Sequence, residues 1–205
     1  MVKDFAIDLE QCLNCLKRDG IFLYPTDTVW GLGADATNEA AAQRIMHLKN
    51  RPVNKSFVIL VADERQLSQY VKNIDSRIMA YLDQFSKPTT VIYPDAHGLA
   101  PTVMADDGSV AIRICKDAFC QQVLRQSGKP LISTSANLSG QPTPALFAEI
   151  DPLVIKGVDY VVSHRQQDMQ RAAPSTIIKW HPEWRSHKEN DAKNPEKSPI
   201  EIIRA

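Results

Sequence analysis

Short apolar runs alternate with amphipathic helical segments along most of the chain, and this alternation restricts the fold more than any other feature. The helical pattern NEAAAQRIMHLK at residues 38–49 is followed by FVILVAD at residues 57–63, which reads as a buried strand. Alternation of this kind is typical of α/β proteins with a largely buried sheet. Because the chain has 205 residues, we expect a single domain.

The other elements follow the same pattern. Strands are predicted at IFLYP, TTVIYP, GSVAIRI, PLIST, DYVVS and STIIKW. Helices are predicted over about residues 9–19 and 117–127, and two short helical stretches between residues 64 and 85. In GSVAIRI the period of two places Val110, Ile112 and Ile114 on one face of the sheet and Arg113 on the other.

The composition changes near the C-terminus. The segment HPEWRSHKENDAKNPEKSP is polar and rich in proline, as exposed loops are, and the closing IEIIRA is apolar again. We therefore assign residues 1–182 to the domain, 183–199 to a polar loop or flexible segment, and 200–205 to a C-terminal edge strand.

The overall charge gives no support to binding of the whole surface to nucleic acid or to an anionic membrane. The chain has 24 basic and 24 acidic residues, so an electrostatic function requires a local cluster. The N-terminal MVKDFAIDLEQ lacks the apolar region of a signal peptide, and the run at residues 57–62 is too short to span a bilayer. We expect a cytoplasmic protein.

Cysteines occur as two pairs, in CLNC and in CKDAFC. A CxxC pair is typical of redox and zinc sites, but here Cys12 and Cys15 share the apolar face of an amphipathic helix with Leu9 and Leu16. No histidine lies near either pair in the sequence, and we interpret these thiols as core residues.

The segment GLGADA at residues 31–36 matches the pattern G-x-G-x-x-A of dinucleotide-binding proteins. Two features argue against that function. The segment PTDTVW separates the glycines from the preceding strand, and the next acidic residue after a strand, Asp63, lies too far along the chain.

Three cations are clustered after the second helical pattern. Lys49, Arg51 and Lys55 lie within seven positions, and Pro52 ends the helix between them. Lys49 also suits the negative end of the helix dipole, so a capping role is an alternative for that residue. Arginine and lysine together are suited to the oxygens of a polyphosphate, and Arg113 supplies a further cation from the sheet.

Two polar segments follow predicted strands. In PTDT, Thr26 and Thr28 are two positions apart, so in an extended chain both hydroxyls point to one side; a turn stabilised by Asp27 is the alternative. In STSANLSG, Ser135 and Asn137 have the same spacing and can present polar groups to anionic oxygens. A serine hydrolase is disfavoured, because the sequence has no G-x-S-x-G elbow.

Taken together, YPTDTVWGLGADA, KNRPVNK, STSANLSG and APSTIIKW resemble the YrdC-like family of L-threonylcarbamoyladenylate synthases in order and approximate spacing. The resemblance covers roughly residues 5–180. It implies a single domain with a twisted mixed sheet flanked by helices and a basic concave face. Trp30 stands where the family usually has tyrosine, and Asn50 where glycine or a basic residue is frequent.

The resemblance also implies an activity. Such an enzyme is a nucleotidyltransferase that joins L-threonine, bicarbonate and ATP to give threonylcarbamoyl-AMP and pyrophosphate. Mg²⁺ would accompany ATP, and the product would feed a separate transferase system that modifies transfer RNA, so that direct contact with transfer RNA is weak or indirect. Carried over by position, the implied catalytic residues are Lys49 and Arg51. The implied ATP-binding residues are Arg51, Lys55, Thr134, Ser135 and Asn137, and the implied threonine-binding residues are Thr26, Thr28, Arg113 and Ser175, with no metal site formed by the protein.

Two alternatives remain open from the sequence. A basic concavity on the same fold is also suited to clamping RNA through its phosphates, although the chain lacks a broad stripe of lysine and arginine. The other alternative is a paralogous branch of the family without this activity, which the presence of Lys49, Arg51, Ser135 and Asn137 disfavours.

Overall fold

The computed structural model describes residues 5–52, 57–181 and 200–204. The helices are α1 Ala6–Lys17, α2 Glu39–Lys49, α3 Glu64–Leu67, α4 Ser76–Leu82, α5 Ala118–Ser127 and α6 Pro152–Lys156, with 3₁₀ turns at Pro101–Val103 and Phe147–Glu149. Within these described ranges, no helix has the length and apolar character needed to cross a membrane. The segment 183–199 that the sequence assigns to a polar loop lies outside the described residues.

Nine strands are present in the described part of the chain and form one mixed sheet. They are β1 Phe22–Tyr24, β2 Gly31–Gly33, β3 Val58–Val61, β4 Thr89–Tyr93, β5 Val110–Ile114, β6 Leu131–Ser135, β7 Tyr160–Val161, β8 Thr176–Trp180 and β9 Ile200–Arg204. Their spatial order is β7-β1-β2-β6-β3-β5-β4-β8-β9. The pairs β1/β7, β3/β5 and β4/β8 are parallel and the remaining pairs antiparallel, which confirms the predicted mixed α/β fold.

The helices begin where short polar side chains cap them. Asn38 Oδ1 accepts a hydrogen bond of 3.0 Å from the backbone N–H of Ala41 at the start of α2, as the sequence predicts. Asp117 caps α5 in the same way. At the other end of α2, Asn50 has a left-handed backbone with φ of 49°, a conformation that asparagine tolerates better than most residues.

Two elements, β2 and α6, are absent from the sequence-based predictions. Two of the three residues of β2 are glycines, which are poor strand formers, so the segment GLGADA gave no strand pattern. In the structure this segment pairs with β1 and β6. A Cβ atom at Gly33 would lie 2.7 Å from Cε1 of Tyr24, so close packing of β1 requires glycine there.

The four cysteines lie in the core. Cys12, Cys15, Cys115 and Cys120 are buried free thiols, which confirms their predicted packing role. Burial raises the pKa of the Cys15 thiol to about 11, so it stays protonated at neutral pH.

The Asp8 carboxylate on α1 connects this helix to the segment after β7. It is 3% exposed and accepts hydrogen bonds from Tyr160 Oη at 2.5 Å, from the backbone N–H and hydroxyl of Ser163 at 2.9 Å, and from the backbone N–H of His164 at 2.8 Å. Burial raises the pKa of Asp8, but these hydrogen bonds outweigh that effect and its pKa lies below the ordinary value.

The next residue, Arg165, connects the segment after β7 to PTDT. Its Nη1 donates to the carbonyl of Thr26 at 3.0 Å and lies 3.2 Å from the Asp117 carboxylate. The position of PTDT therefore depends on contacts that begin at α1.

We predict that Asp8→Ala lowers the free energy of unfolding by about 3 kcal/mol, because it leaves several donors without their charged acceptor. Urea denaturation followed by circular dichroism measures this change. Glu10→Ala, on the exposed face of the same helix, is the control and should change stability by less than about 0.5 kcal/mol. Equal stabilities of the Asp8 and Glu10 variants would contradict the anchoring role.

Candidate functional site

A cavity of about 180 Å³ lies on one side of the sheet, between the segments that follow β1, α2 and β6. Strands β5, β8 and β9 complete its wall. Six of the predicted site residues line it: Thr28, Arg51, Arg113, Thr134, Ser135 and Ser175. Lys55 lies outside the described residues, so its predicted contact with phosphate stays a prediction.

Lys49 lies behind the cavity wall. It is 1% exposed, and its ammonium donates hydrogen bonds to the backbone carbonyls of Ser135 and Asn137, the latter at 2.5 Å. The carbonyl of Lys49 in turn accepts a hydrogen bond of 2.7 Å from the N–H of Ser139. The last residue of α2 is thus joined to the loop after β6, and the predicted contact of Lys49 with phosphate stays a prediction.

Burial and the nearby charge of Arg51 lower the pKa of Lys49 to about 7. A neutral amine retains two N–H groups, which is the number needed for the two carbonyls that it contacts. The connection between α2 and the loop is therefore retained whether or not Lys49 is charged.

The loop after β6 is held by its own side chains. Ser135 Oγ donates to Asn137 Oδ1 at 2.5 Å, and Asn137 Nδ2 donates to the carbonyls of Leu138 and Gln141 at 2.9 and 2.8 Å. Asn137 is absent from the cavity lining, whereas Ser135 is part of it. In this conformation Asn137 shapes the loop and Ser135 faces the cavity.

The two threonines of PTDT have different positions. Thr26 is 1% exposed, and its hydroxyl donates to the carbonyl of Val29 at 2.8 Å. The two hydroxyl oxygens are 2.9 Å apart, as expected for side chains on the same side. The hydroxyl proton of Thr26 is used in the bond to Val29, so the Thr28 hydroxyl donates its proton to Thr26 Oγ1. Thr28 Oγ1 therefore faces the cavity as an acceptor.

Arg113 projects into the cavity from β5, from the face predicted by the alternation in GSVAIRI. The residue is 3% exposed. Its Nη2 lies 3.0 Å from Asp27 Oδ1 and 3.3 Å from Thr28 Oγ1. Within the described residues, its Nε has no hydrogen-bond partner.

Arg204 on β9 is a cavity residue that the sequence did not reveal. Its Nε and Nη2 donate to the carbonyl of Ser175 at 3.1 and 2.9 Å, which fixes the guanidinium beside the cavity. Burial, and then the charge of Arg113, lower the pKa of Arg204. No local pattern in IEIIRA identifies this residue, because its position depends on long-range pairing of β9 with β8.

Arg51 follows α2 and lies over the ring of Phe57, with Cζ 4.8 Å from the ring centroid. Burial lowers the pKa of this guanidinium, which nevertheless remains charged. Arg51, Arg113 and Arg204 therefore bring three positive charges from distant segments to one cavity.

The described polar side chains that line the cavity carry hydroxyl and guanidinium groups. In the part of the chain that the structure describes, no group of three or more His, Cys, Asp or Glu side chains is placed to hold a metal. The described lining residues of the cavity include no carboxylate.

Comparison with known proteins supports the resemblance seen in the sequence. The family model Sua5_yciO_yrdC, described as Telomere recombination, matches residues 14–189. The chain belongs to this family. Its relatives include a protein named Threonylcarbamoyl-AMP synthase from Stenotrophomonas maltophilia (strain K279a), which is 32% identical over 171 residues that cover 82% of this chain and 92% of that protein.

Two solved structures show that the fold is that of the Sua5/YciO/YrdC family. Sua5 of P. abyssi complexed with L-threonine has a TM-score of 0.72 and 23% identity, covering 84% of this chain and 51% of that one. YciO of E. coli has a TM-score of 0.76 and 19% identity, covering 97% and 88%. The chain thus spans about half the length of that Sua5 protein.

We predict that the stability of the wild-type chain rises relative to Lys49→Met between pH 7 and pH 9. In that interval the unfolded chain keeps the lysine proton, whose ordinary pKa is 10.5, whereas the folded chain loses it at a pKa of about 7. The difference should be about 2 kcal/mol, measured by urea denaturation at both pH values.

Lys17→Met is the matched control, because it removes an exposed ammonium at the end of α1. The free energy of unfolding of Lys17→Met should change between the two pH values as that of the wild type does. A difference between wild type and Lys49→Met that does not change with pH would contradict the lowered pKa of Lys49.

Proposed function

We propose that this chain is an L-threonylcarbamoyladenylate synthase, which joins L-threonine, bicarbonate and ATP to give threonylcarbamoyl-AMP and pyrophosphate. The observation that supports this most is the convergence of Arg51, Arg113 and Arg204 on one cavity. The 32% identity to a protein named Threonylcarbamoyl-AMP synthase agrees with it.

Electrostatic repulsion is the main obstacle to this reaction. The threonine amine and bicarbonate first form a carbamate and release water. A carbamate oxygen then attacks the α-phosphorus of ATP, the new P–O bond forms, and the bond to the β-phosphate bridging oxygen breaks to release pyrophosphate. Both reactants are anions, so fixed positive charge and positioning are what the protein has to supply.

Arg113 and Thr28 are suited to holding threonine. Arg113 lines the cavity, and a carboxylate is a suitable acceptor for the N–H groups of its guanidinium. Thr28 offers lone pairs, which suit a donor such as the hydroxyl or amine of threonine. The backbone carbonyl of Ser175 holds Arg204 beside the cavity. The Ser175 hydroxyl lies 2.8 Å from that of Thr90.

Arg51 and Arg204 are suited to ATP. A guanidinium binds phosphate oxygens through two parallel hydrogen bonds, and Thr134 and Ser135 line the same cavity. Lys55 would add a mobile charge. Lys49 would act through the loop that it holds, because its ammonium contacts two carbonyls of that loop.

Magnesium would arrive bound to the phosphates of ATP, where it would neutralise negative charge. The chain's own contribution is to bind and orient the phosphates through its arginines. The product would pass to a separate transferase system acting on transfer RNA, for which a cytoplasmic location and weak or indirect contact with transfer RNA are consistent.

We predict that pyrophosphate release from ATP and bicarbonate requires threonine, and that Arg51→Ala lowers its rate more than tenfold. Loss of one charge-assisted hydrogen bond costs about 1.5 to 3 kcal/mol, and about 1.4 kcal/mol corresponds to a factor of ten. Lys55→Ala should have a similar effect. A coupled pyrophosphate assay measures the rates, with mass spectrometry to identify threonylcarbamoyl-AMP.

Arg125→Ala is the control, because Arg125 is an exposed arginine that pairs with Asp63 on the surface. It should leave the rate unchanged. Pyrophosphate release that is independent of threonine, or full activity of both Arg51→Ala and Lys55→Ala, would contradict the proposal.

A further inference from the structure

Asp27, in the centre of PTDT, is the acidic partner of the buried Arg113. Its side chain is 14% exposed, that of Arg113 is 4% exposed, and Oδ1 lies 3.0 Å from Nη2. The other oxygen, Oδ2, lies 3.5 Å from the backbone N–H of Lys116, just beyond β5. Asp27 therefore connects the PTDT segment to β5 at the back of the cavity.

A buried guanidinium needs such a partner, because arginine does not lose its proton in proteins. Arg204 also lines the cavity, and burial followed by the charge of Arg113 lowers its pKa. Without Asp27, Arg113 would lose its acidic partner while the positive charge of Arg204 remained nearby.

Asp27 and Thr28 both contact the same nitrogen of Arg113. Nη2 lies 3.0 Å from Asp27 Oδ1 and 3.3 Å from Thr28 Oγ1. Rotation of the guanidinium would break both contacts. The guanidinium, which lines the cavity, is therefore fixed in position by the two residues of PTDT.

We propose that Asp27 is a positioning residue, which holds the guanidinium of Arg113 in the cavity wall so that it meets the carboxylate of the amino acid substrate. The inference rests on the proposed function and deepens it, because it assigns recognition of the substrate carboxylate to a pair of residues. The competing interpretation is that Asp27 only offsets a buried charge and stabilises the fold.

Asp27→Asn tests the proposal, because it keeps the size of the side chain and removes its charge. The KM for threonine should rise at least tenfold, whereas the KM for ATP should change less than twofold. Asp27→Glu, which restores the carboxylate, should recover most of the affinity for threonine. A role in stability alone would instead lower the thermal midpoint and leave the KM for threonine unchanged.

Recognition of the carboxylate is tested by comparing threonine with L-threoninamide, which lacks the negative charge. Calorimetry on the wild-type chain should show tighter binding of threonine, and Asp27→Asn should reduce that preference at least fivefold. Asp159→Asn is the matched control, because it neutralises the exposed partner of Arg44. That variant should keep both the KM and the preference.

A double variant keeps the test valid if Asp27→Asn does not fold. Arg113→Gln combined with Asp27→Asn leaves no unpaired buried charge. If Asp27 acts through Arg113, this double variant should have the same KM for threonine as Arg113→Gln alone. A further increase of tenfold on adding Asp27→Asn would overturn the proposal, as would an unchanged preference for threonine in Asp27→Asn.

The wild-type assay separates this inference from the proposed function. If the wild-type chain shows no threonine-dependent pyrophosphate release, the proposed function fails. If it shows that activity while Asp27→Asn keeps the wild-type KM and preference, only the role of Asp27 fails.

Discussion

The contact of the Lys49 side chain with the carbonyls of Ser135 and Asn137 is the interaction on which the cavity depends. It joins the end of α2 to the loop after β6, two segments that lie far apart in the sequence. Arg51 follows Lys49 by two residues, and Ser135 faces the cavity. This contact therefore sets the distance between Arg51 and Ser135. Burial of a lysine among carbonyls is costly unless its N–H groups are satisfied, as they are here.

The three arginines of the cavity are held in different ways. Arg113 has a carboxylate partner, Arg204 donates to a carbonyl, and Arg51 lies over an aromatic ring. Among the described residues that line the cavity, these three arginines are the charged ones, and Asp27 pairs with Arg113 from outside the lining. A site with this arrangement favours anions, and the family to which the chain belongs includes proteins named Threonylcarbamoyl-AMP synthase.

Local patterns in the sequence predicted most of the elements and part of the candidate site. The cap at Asn38 follows from the preference of asparagine for the start of a helix. The placement of Arg113 opposite Val110 and Ile112 follows from the period of a strand. Strand β2 was missed because its glycines carry no strand propensity. Arg204 was missed because pairing of β9 with β8 brings it to the cavity, and such long-range pairing has no local pattern. The buried position of Lys49 depends likewise on a loop that lies far along the chain.

The most direct test of the account is a crystal structure of the wild-type chain with a non-hydrolysable ATP analogue and L-threonine. We expect phosphate oxygens within hydrogen-bonding distance of Arg51 and Arg204, the threonine carboxylate on Arg113, and the Lys49 amine still on its two carbonyls. A nucleotide bound outside this cavity, or a threonine carboxylate that does not contact Arg113, would contradict the account.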